Sequence, residues 1–526
     1  MRTVTRSVVL MLLCGGAFLS AAAQCPKRPD PGSVVEDALN LYSNHGVLSA
    51  HFTMRYSVDM FGYSHYCYNY NTTNGEVESP TLRPNQGDKL DLDVANRIHG
   101  DDDDAAMDGM DMTMSGKACG DGGKLTISTT NLHFHGMNVS PRCHEDDVLT
   151  ALIQPDKPAF PFAIPIPANQ PPGLYWYHPH PHGFTEFQVN GGAAGALVVG
   201  GMEKYRPEVA GLRDRVFVMR QQFLVPWVPG PFQYTINYQV TAYPTFPAPI
   251  IKMKPNTKEL WRVVNATLQD FMPIHVNYNG KPQKLELIAL DGYPLAKPRF
   301  VESILVPEAG RAEFIVAAPP KGAQAEFLND AYNTGITGNP DPAQLLADIE
   351  LSKDTDPNAV YVPTKDAGTG SMDQLMFAGL AAQTPTRQRK LYFSEKFGGT
   401  GGPIEFYITE DGHKPVVFKN DEKPAIVAHV GDVEDWTIEN RALETHDFHI
   451  HQIHFLMLEV DGKPVKYQDL RDTIQIPYWD GKGPFHSVKV RMDFRDPTIA
   501  GTFVYHCHLL LHEDLGMMHK IEILPK

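Results

Sequence analysis

Residues 501–517 read Gly501-Thr502-Phe503-Val504-Tyr505-His506-Cys507-His508-Leu509-Leu510-Leu511-His512-Glu513-Asp514-Leu515-Gly516-Met517. The apolar residues at 503–505 predict a β-strand, and side chains on a strand alternate between its two faces. Continued alternation would give this strand two chemically different faces, with Phe503, Tyr505 and Cys507 on one and Val504, His506 and His508 on the other. One short segment could therefore supply a thiolate to one metal site and two imidazoles to a second site behind it.

The same run contains most of the ligands of a blue-copper electron-transfer centre. Such a centre uses two histidines, a cysteine thiolate and a weak axial methionine. Cys507, His512 and Met517 would supply three of these ligands, so one histidine from elsewhere in the chain would complete the set. The alternative is a buried cysteine among surface histidines, but simple packing rarely produces this order of residues.

Three stretches of the chain resemble one another, each a turn followed by an alternating strand that ends in asparagine: 87–96, 256–265 and 431–440. Their asparagines, Asn96, Asn265 and Asn440, are 169 and 175 residues apart, a period of domain size rather than of a solenoid. Closing strands recur as well, at 195–199, 311–316 and 501–505. Short alternating strands with turns rich in glycine and proline favour β-sandwiches. The sequence therefore predicts an all-β protein of three β-sandwich domains.

Two short helices are also predicted. One covers Pro342 to Ile349 with Asp341 as a candidate cap, and the other lies near Leu509 to Leu511. In the second repeat the asparagine is followed only by a lone His275, which indicates a core or surface residue and a domain without metal.

Composition and charge limit the possible partners. The chain has 42% hydrophobic and 21% charged residues, which is typical of a globular protein. The net charge of −16 argues against nucleic acid as a partner and leaves no basic patch for anionic lipid.

The first residues predict export. Residues 1–23 resemble a cleaved signal peptide, with a basic start, an apolar stretch too short for a membrane span, and a small-residue cleavage site at Ala21-Ala22-Ala23. We therefore expect a secreted or periplasmic protein with no membrane span in its mature form. Cleavage would remove Cys14, and if Cys507 binds metal the four other cysteines suffice for two disulfides. Three pairings of these four are open, one of which joins Cys119 to Cys143; the four are Cys25, Cys67, Cys119 and Cys143.

Histidine clusters supply the remaining chemistry. Each contains a His-x-His pair, which on a strand directs two imidazoles to the same side. A single pair arises readily by chance, but two pairs in the first domain and two in the third supply eight histidines where two domains could face each other. Imidazoles without carboxylates favour copper over Mg, Ca or Mn. The pairs are His133-Phe134-His135, His178-Pro179-His180, His449-Ile450-His451 and His506-Cys507-His508.

With all four clusters present in this order, the chain resembles three-domain multicopper oxidases of the laccase-like, bacterial type. The resemblance implies cupredoxin-like Greek-key β-sandwich domains at residues 24–200, 201–370 and 371–526, the second without copper. It also implies four copper ions with the following ligands: His446, Cys507 and His512 with axial Met517 for type 1; His133 and His449 for type 2; and, for the coupled type 3 pair, His135, His178 and His508 on one ion and His180, His451 and His506 on the other.

The activity that the resemblance implies is the oxidation of a small-molecule reductant, a phenol or aromatic amine, by O2. Single electrons would enter at the type 1 site and pass from Cys507 through the backbone to the histidines on either side of it. After four transfers the trinuclear cluster would reduce O2 to water. Proton delivery is predicted for Glu513, which resembles an acid near the oxygen channel of bacterial members, and for Asp146 or Asp147, which resemble the acid after the first motif.

Several residues depart from the family pattern without removing a ligand. Asp447 stands where proline is usual and is a candidate substrate contact, with a local hydrogen bond as the alternative. Gln452 replaces a common glycine, while His182 and His454 are additional histidines outside the ligand pattern. An acidic, methionine-bearing insertion at 97–124 contains Asp101 to Asp104 and Met107, Met110, Met112 and Met114.

The insertion leaves the substrate open. Thioethers are soft ligands for Cu(I), so a cuprous oxidase acting in copper tolerance is an alternative, and a solvated loop is the other explanation of the insertion. A copper nitrite reductase is disfavoured because His508 and the third domain complete a cluster that reduces O2. A non-enzymatic copper carrier predicts lost cluster ligands, and none is lost. Three Asn-x-Ser/Thr sequons, at Asn71, Asn138 and Asn265, are compatible with glycosylation in a host that glycosylates.

Overall fold

The computed structural model describes residues 24–58, 64–99, 119–120, 122–222, 233–243, 245–353, 356, 358–364, 368–398 and 404–526. The predicted signal peptide lies outside the described residues, and so do Asp101 to Asp104 and the four methionines of the insertion. Among the described residues, no helix is both long and apolar enough to cross a membrane.

The first stretch of chain forms two five-stranded sheets, in the orders β1-β5-β12-β11-β8 and β10-β6-β2-β3-β4, and a two-stranded sheet β7-β9. One short helix, α1 (Thr185–Asn190), connects β11 to β12. The strands are β1 (Asn40–Tyr42), β2 (Val47–Val58), β3 (Ser64–Thr72), β4 (Gly75–Glu78), β5 (Thr81–Arg83), β6 (Lys89–Arg97), β7 (Cys119–Gly120), β8 (His133–His135), β9 (Ala151–Leu152), β10 (Phe160–Pro165), β11 (Gly173–His178) and β12 (Gly195–Val199).

The middle stretch forms one sheet in the order β15-β14-β13-β17-β23-β20-β21, with β26 beside β13, and a second in the order β16-β25-β24-β18-β19, with β22 beside β18. The strands are β13 (Arg213–Gln222), β14 (Gln233–Ile236), β15 (Gln239–Val240), β16 (Ile250–Met253), β17 (Lys258–Ala266), β18 (Met272–Tyr278), β19 (Lys281–Pro282), β20 (Leu285–Leu290), β21 (Tyr293–Val301), β22 (Ile304–Val306), β23 (Arg311–Ala317), β24 (Ala325–Asn329), β25 (Gln344–Leu351) and β26 (Val360–Tyr361).

The last stretch forms sheets in the orders β28-β27-β30-β36-β32-β33, with β34 beside β32, and β29-β38-β37-β31-β35. Helix α2 (Leu510–Asp514) follows β37. The strands are β27 (Arg387–Phe397), β28 (Ile404–Glu410), β29 (Ile426–His429), β30 (Asp432–Asn440), β31 (His446–Ile450), β32 (Phe455–Val460), β33 (Lys463–Pro464), β34 (Leu470–Arg471), β35 (Thr473–Ile476), β36 (His486–Phe494), β37 (Gly501–Cys507) and β38 (Met518–Leu524). Short 3-10 helices occur at Met202–Lys204, Pro207–Val209, Met372–Gln374, Leu380–Ala382 and Pro497–Ile499.

The repeated asparagine makes the same kinds of hydrogen bond in each stretch. Asn96, Asn265 and Asn440 are fully buried near the ends of β6, β17 and β30. Each side-chain carbonyl accepts the backbone N–H of the residue two positions on, and each amide donates to backbone carbonyls of neighbouring segments. The three repeats therefore turn the chain by one shared device, which confirms the repeat read from the sequence.

The alternation predicted for the closing strand is also confirmed. Phe503, Tyr505 and Cys507 of β37 belong to the apolar core of the last stretch. Val504, on the other face, packs in a separate cluster that includes Val148 from the first stretch. Thus β37 lies between a core on one side and the first domain on the other.

One predicted helix is wrong and the other is confirmed. Residues 342–349 do not form a helix; Gln344–Leu351 is strand β25, paired with β24 and β16. Pairing with strands on both sides has overridden a weak local helical preference. The helix near Leu509 to Leu511 is present as α2.

Two disulfides are formed, Cys25–Cys67 and Cys119–Cys143, which resolves the open pairings. Of the three sequons, Asn71 is exposed, whereas Asn138 and Asn265 are buried with hydrogen-bonded side chains. The folded chain could not accommodate a glycan on either buried asparagine.

Candidate metal centres

A cysteine and two histidines converge at the end of β37. Cys507 Sγ lies 3.5 Å from His446 Nδ1 and 3.9 Å from His512 Nδ1, and the two imidazole nitrogens are 3.2 Å apart. All three side chains are buried. Met517 is also fully buried, and its backbone bonds to Cys507 N–H and His512 C=O hold it beside them. The structure therefore brings the predicted type 1 ligands together within one domain.

Eight further histidines meet between the first and third domains. In the first domain, β8 and β11 pair so that His133 faces His178 across the strands. In the third, β31 and β37 pair so that His449 faces His506. The remaining four come from the same strands or the residues just after them, and all eight are at most 2% exposed: His133, His135, His178, His180, His449, His451, His506 and His508.

Close contacts in this cluster occur both within and between the predicted ligand sets. His180, His451 and His506, one predicted type 3 set, each place a nitrogen within 4.8 Å of the others. His133 and His449, the predicted type 2 ligands, do so together with His451, so the division of the histidines among ions stays a prediction. The rings of the other predicted type 3 set lie 4.8 to 6.0 Å apart between centroids; its members are His135, His178 and His508.

The nitrogens of this cluster fit a group of metal ions. Six of the eight imidazoles have a buried Nε2 atom without a hydrogen-bond partner. Buried polar atoms in native proteins are nearly always satisfied, so a convergent set of unpaired nitrogen lone pairs indicates a cation-binding site. Burial lowers the pKa of every one of the eight, which keeps the imidazoles neutral as ligation requires. The six are His133, His135, His178, His180, His449 and His508.

The second nitrogen of several imidazoles is fixed by the surrounding protein. Nδ1 of His178, His449 and His506 lies within 3.0 Å of a backbone carbonyl. Nδ1 of His508 lies within ion-pair distance of the fully buried Glu308 carboxylate, without hydrogen-bond geometry between them. A hydrogen-bonded Nδ1–H sets the tautomer and leaves Nε2 free to bind metal.

Two of the acids predicted to deliver protons lie against the cluster. Asp146 lies 3.0 Å from His133 Nδ1, and burial raises its pKa to about 8. The carboxylate of Glu513 lies 3.3 Å from His180 Nε2 and 3.2 Å from His506 Nδ1, and burial raises its pKa well above the ordinary value. The Asp147 carboxylate instead accepts hydrogen bonds from the backbone N–H and the hydroxyl group of Thr150. The structure therefore brings Asp146 and Glu513, but not Asp147, to the predicted ligands.

Two departures from the family pattern lie close to the predicted ligands. Asp447 is fully buried next to His446, and neither oxygen of its carboxylate has a hydrogen-bond partner among the described residues, so the local hydrogen bond given as the alternative is not formed. A substrate contact at Asp447 stays a prediction. Gln452 has φ of 60°, the left-handed region that suits the glycine it replaces. Its side-chain amide donates to Asp146 (2.5 Å), which links this strained residue to the acid beside His133.

The middle domain supports the cluster although no ligand is predicted in it. Arg311 of β23 donates to both carboxylate oxygens of Asp472 and lies 3.3 Å from His135 Nδ1. The Asp472 carbonyl in turn contacts His449 Nδ1 at 2.8 Å. Sequence analysis missed Arg311, Asp472 and Glu308, because each is a single polar residue in or beside a strand and no local spacing links it to a histidine.

Two carboxylates cover the outer side of the type 1 histidines. Glu395 Oε1 lies 3.1 Å from His446 Nε2, and Glu444 Oε1 lies 2.8 Å from His512 Nε2. Burial, and then the nearby charge of Glu444, raise the pKa of Glu395 to about 7. Sequence analysis also missed this pair, since Glu395 is 51 residues from the histidine it contacts.

Comparison with known proteins identifies related chains. Family models described as multicopper oxidase match residues 124–204, 217–345 and 399–526, one segment in each domain. Multicopper oxidase mco of Staphylococcus haemolyticus is 22% identical over 467 residues, which cover 86% of this chain and 83% of the relative. A laccase of Bacillus subtilis is 22% identical over 390 residues, which cover 68% and 72% of the two chains.

Solved structures share the fold. The multicopper oxidase from Campylobacter jejuni, described as a metallo-oxidase, has a TM-score of 0.66 at 22% identity, covering 95% of this chain and 96% of that chain. McoA multicopper oxidase from the hyperthermophile Aquifex aeolicus has a TM-score of 0.67 at 16% identity, covering 94% and 100%.

Proposed function

Because the chain belongs to the multicopper oxidase family and is a copper-dependent oxidoreductase that reduces O2, we propose that its reductants are phenols or aromatic amines. We further propose four copper ions, one type 1, one type 2 and two type 3. The observation that carries the proposal is the pairing of two sites: a buried cysteine–histidine cluster in the third domain and eight buried imidazoles between the first and third.

The ligand assignments follow the predicted sets. Type 1 copper would use His446, Cys507 and His512 with axial Met517, type 2 copper would use His133 and His449, and the other six histidines of the cluster would hold the type 3 pair. When bound, the copper ions supply one-electron oxidation at the first site and O2 reduction at the second.

The polypeptide joins the two sites directly. Cys507 lies in one site, and its neighbours His506 and His508 lie in the other, so the covalent backbone connects them across a single residue in each direction. His506 Nδ1 lies 3.0 Å from the Cys507 carbonyl, which adds a hydrogen-bonded contact along the same route. This arrangement supports electron transfer along residues 506–508.

We propose that Glu513 and Asp146 handle the protons that O2 reduction consumes. Glu513 lies between two histidines of the cluster, and Asp146 lies against a third. Both carboxylates are fully buried, and burial raises the pKa of each, so each can hold a proton beside the site between transfers. Their position beside the predicted ligands supports this role.

The choice of phenols rests on the likeness to proteins named laccase, including the relative from Bacillus subtilis. A second candidate is Cu(I), which the methionines of the insertion favour as soft ligands. The related structure from Campylobacter jejuni is described as a metallo-oxidase. Export is also proposed, because two disulfides suit an oxidising compartment.

The test is O2 uptake by the fully copper-loaded protein with a methoxyphenol or with Cu(I), each with and without excess copper. Rapid methoxyphenol oxidation without added copper is expected. Uptake confined to Cu(I) would favour the second candidate, and deletion of residues 101–114 should then lower that activity selectively. The absence of O2 uptake with either reductant would contradict the proposed function.

A further inference from the structure

Two buried carboxyl groups of the middle domain face each other. Asp270 lies after β17 and Asp341 lies before β25, and these residues are 2% and 3% exposed. Their carboxyl groups lie within hydrogen-bonding reach of each other. Two carboxyl groups can share a hydrogen bond only if one of them carries a proton, because a carboxylate has no donor. We call Asp270 and Asp341 the carboxyl pair.

The charges around the carboxyl pair favour retention of this proton. Burial raises the pKa of Asp341 to about 7. Burial, and then the charge of Asp341, raise the pKa of Asp270 well above its ordinary value. Two further acids act in the same direction, because the charge of Glu308 raises the pKa of Asp270 and that of Glu444 raises the pKa of Asp341.

Neutral groups complete the surroundings of the carboxyl pair. The side-chain amide of Gln221 donates to Asp270 Oδ2 at 3.0 Å, and the Phe271 N–H donates to Asp341 Oδ2 at 2.9 Å. Asp341 Oδ1 is buried, and no donor among the described residues reaches it. The Tyr332 hydroxyl, whose pKa burial raises to about 12, stays neutral. None of these neighbours is a cation, so loss of the proton would leave uncompensated negative charge in a buried place.

The carboxyl pair joins two segments of the middle domain that both contact the third domain. The first segment, 267–271, contains one member of the pair. Its Leu268 carbonyl accepts the N–H of Leu510 at 2.9 Å. Leu510 lies two residues after His508 and two residues before His512. This segment therefore contacts the third domain between two predicted copper ligands.

The second segment, 332–341, contains the other member of the pair. The N–H of its first residue donates to the backbone carbonyl of its last residue at 3.0 Å, so the segment is closed as a loop. Within it, the Thr334 carbonyl accepts the N–H of Thr445 at 2.7 Å. Thr445 immediately precedes His446. The carboxyl pair thus lies behind two backbone contacts, each next to a predicted type 1 histidine.

We propose that Asp270 and Asp341 are positioning residues for the type 1 site, and that the proton they share holds both segments against the third domain. The inference rests on the proposed oxidase function and adds to it a control of the type 1 site by pH. When the proton is present, the carboxyl groups join the two segments. When it is lost, two like charges repel each other in a buried place, and the contacts at Leu510 and Thr445 loosen.

The direction of the pH effect follows from the raised pKa values. An aspartate in an unfolded chain loses its proton near pH ~4, whereas Asp341 in the folded chain keeps it up to a pKa of about 7. The stabilisation that the pair supplies is therefore complete below pH ~4 and is lost as the pH rises through about 7. The type 1 histidines should be held less firmly in alkaline solution.

The first measurement is hydrogen exchange of the copper-free protein, followed by mass spectrometry in peptides that contain Thr445 or Leu510. The ratio of intrinsic to observed exchange rates gives the protection of these peptides at each pH. In the wild type, protection should fall about tenfold or more between about pH 5 and about pH 9. In Asp270→Asn and in Asp341→Asn an amide donor replaces the shared proton, so protection should stay nearly constant.

Two further variants bracket this result. Asp341→Ala removes the contact between the two segments and should lower protection at every pH. Asp330→Asn is the matched control, because this exposed carboxylate lies just before the second segment but contacts His275. Its protection should follow that of the wild type. If the wild type and both Asn variants lose protection equally as the pH rises, the inference is wrong.

The second measurement is the blue absorption and the reduction potential of the copper-loaded protein over the same pH range. Both should change with pH in the wild type and in Asp330→Asn, and should change less in Asp270→Asn and Asp341→Asn. Identical pH profiles in the wild type and the two variants of the pair would overturn the inference. A wild type without blue absorption at any pH would overturn the proposed function instead.

Discussion

The proposed type 1 site and the proposed trinuclear site differ in how much of the molecule is needed to build them. His446, Cys507 and His512 all come from the third domain, and β31, β37 and α2 bring them together. The eight-histidine cluster takes its ligands from two domains and its supporting contacts from all three. A site whose ligands all come from one domain can therefore still depend on other domains, when one of its strands also carries ligands of a second site.

The largest effect is expected from replacement of Cys507, which should disable the proposed type 1 site and leave the histidine cluster intact. Cys507→Ser is expected to abolish the blue absorption and the oxidation of every reductant, because serine does not supply the thiolate of a type 1 centre. The trinuclear copper should remain, since none of its predicted ligands changes. Copper content, absorbance and EPR check this outcome.

Met518→Leu is the control for that substitution, a volume-conserving change beside the predicted axial methionine. It should keep the blue absorption. If Cys507→Ser also empties the trinuclear site, the two sites are not separable and the comparison fails.

The next largest effect is expected from replacement of Glu513, which is proposed to deliver protons to the histidine cluster. Glu513→Gln should slow O2 reduction by about a hundredfold or more, in the range of lost general acid catalysis, while the blue absorption stays intact. Reoxidation of the reduced enzyme by O2, followed across pH, measures it. Glu522→Gln is the control, and turnover that matches wild type at every pH would contradict the role of Glu513.

Loss of the Glu308 carboxylate, which the middle domain places beside His508, should have a smaller effect that is limited to the histidine cluster. Glu308→Ala removes the carboxylate that contacts His508 Nδ1, and such losses reduce metal affinity or activity by about 10- to 100-fold. Type 3 copper should be depleted while the type 1 spectrum is retained. Glu308→Gln keeps a polar side chain of the same size and should rescue most of the binding; equal depletion in both variants would mean that the charge of Glu308, not its polar contact, matters.

The smallest effect concerns the repeated asparagine. Asn265→Ala and Asn440→Ala each leave backbone groups without partners, which costs about 1 to 3 kcal/mol of unfolding free energy. Urea denaturation measures both. Only Asn440→Ala should also weaken the contact between Glu444 and His512, because the Asn440 amide donates to the Glu444 backbone carbonyl at 2.7 Å. The type 1 spectrum should then change, so identical spectra would show that Asn440 does not position Glu444.

The sequence alone indicated the candidate metal ligands, but it indicated few of the residues that surround them. The His-x-His pairs and the alternation through Cys507 are local patterns, so they could be read directly, and the asparagine repeat marked three domains. The strand Gln344–Leu351 was taken for a helix because only its pairing with β24 and β16 reveals its state. Glu308, Arg311 and Glu395 could not be found, because each acquires its role through a contact between segments far apart in sequence.

Helix α2 couples the docking of the first and third domains to metal binding. Its five residues include His512 of the type 1 site and Glu513 at the cluster, and Asp514 accepts N–H groups of Gly183, Thr185 and Glu186 at the start of α1 in the first domain. Because the cluster ligands also span both domains, copper binds strongly only when these domains are docked, and docking is stabilised in turn by copper. A chain starved of copper should therefore expose its domain interface to proteases, so metal supply would control how long the protein persists.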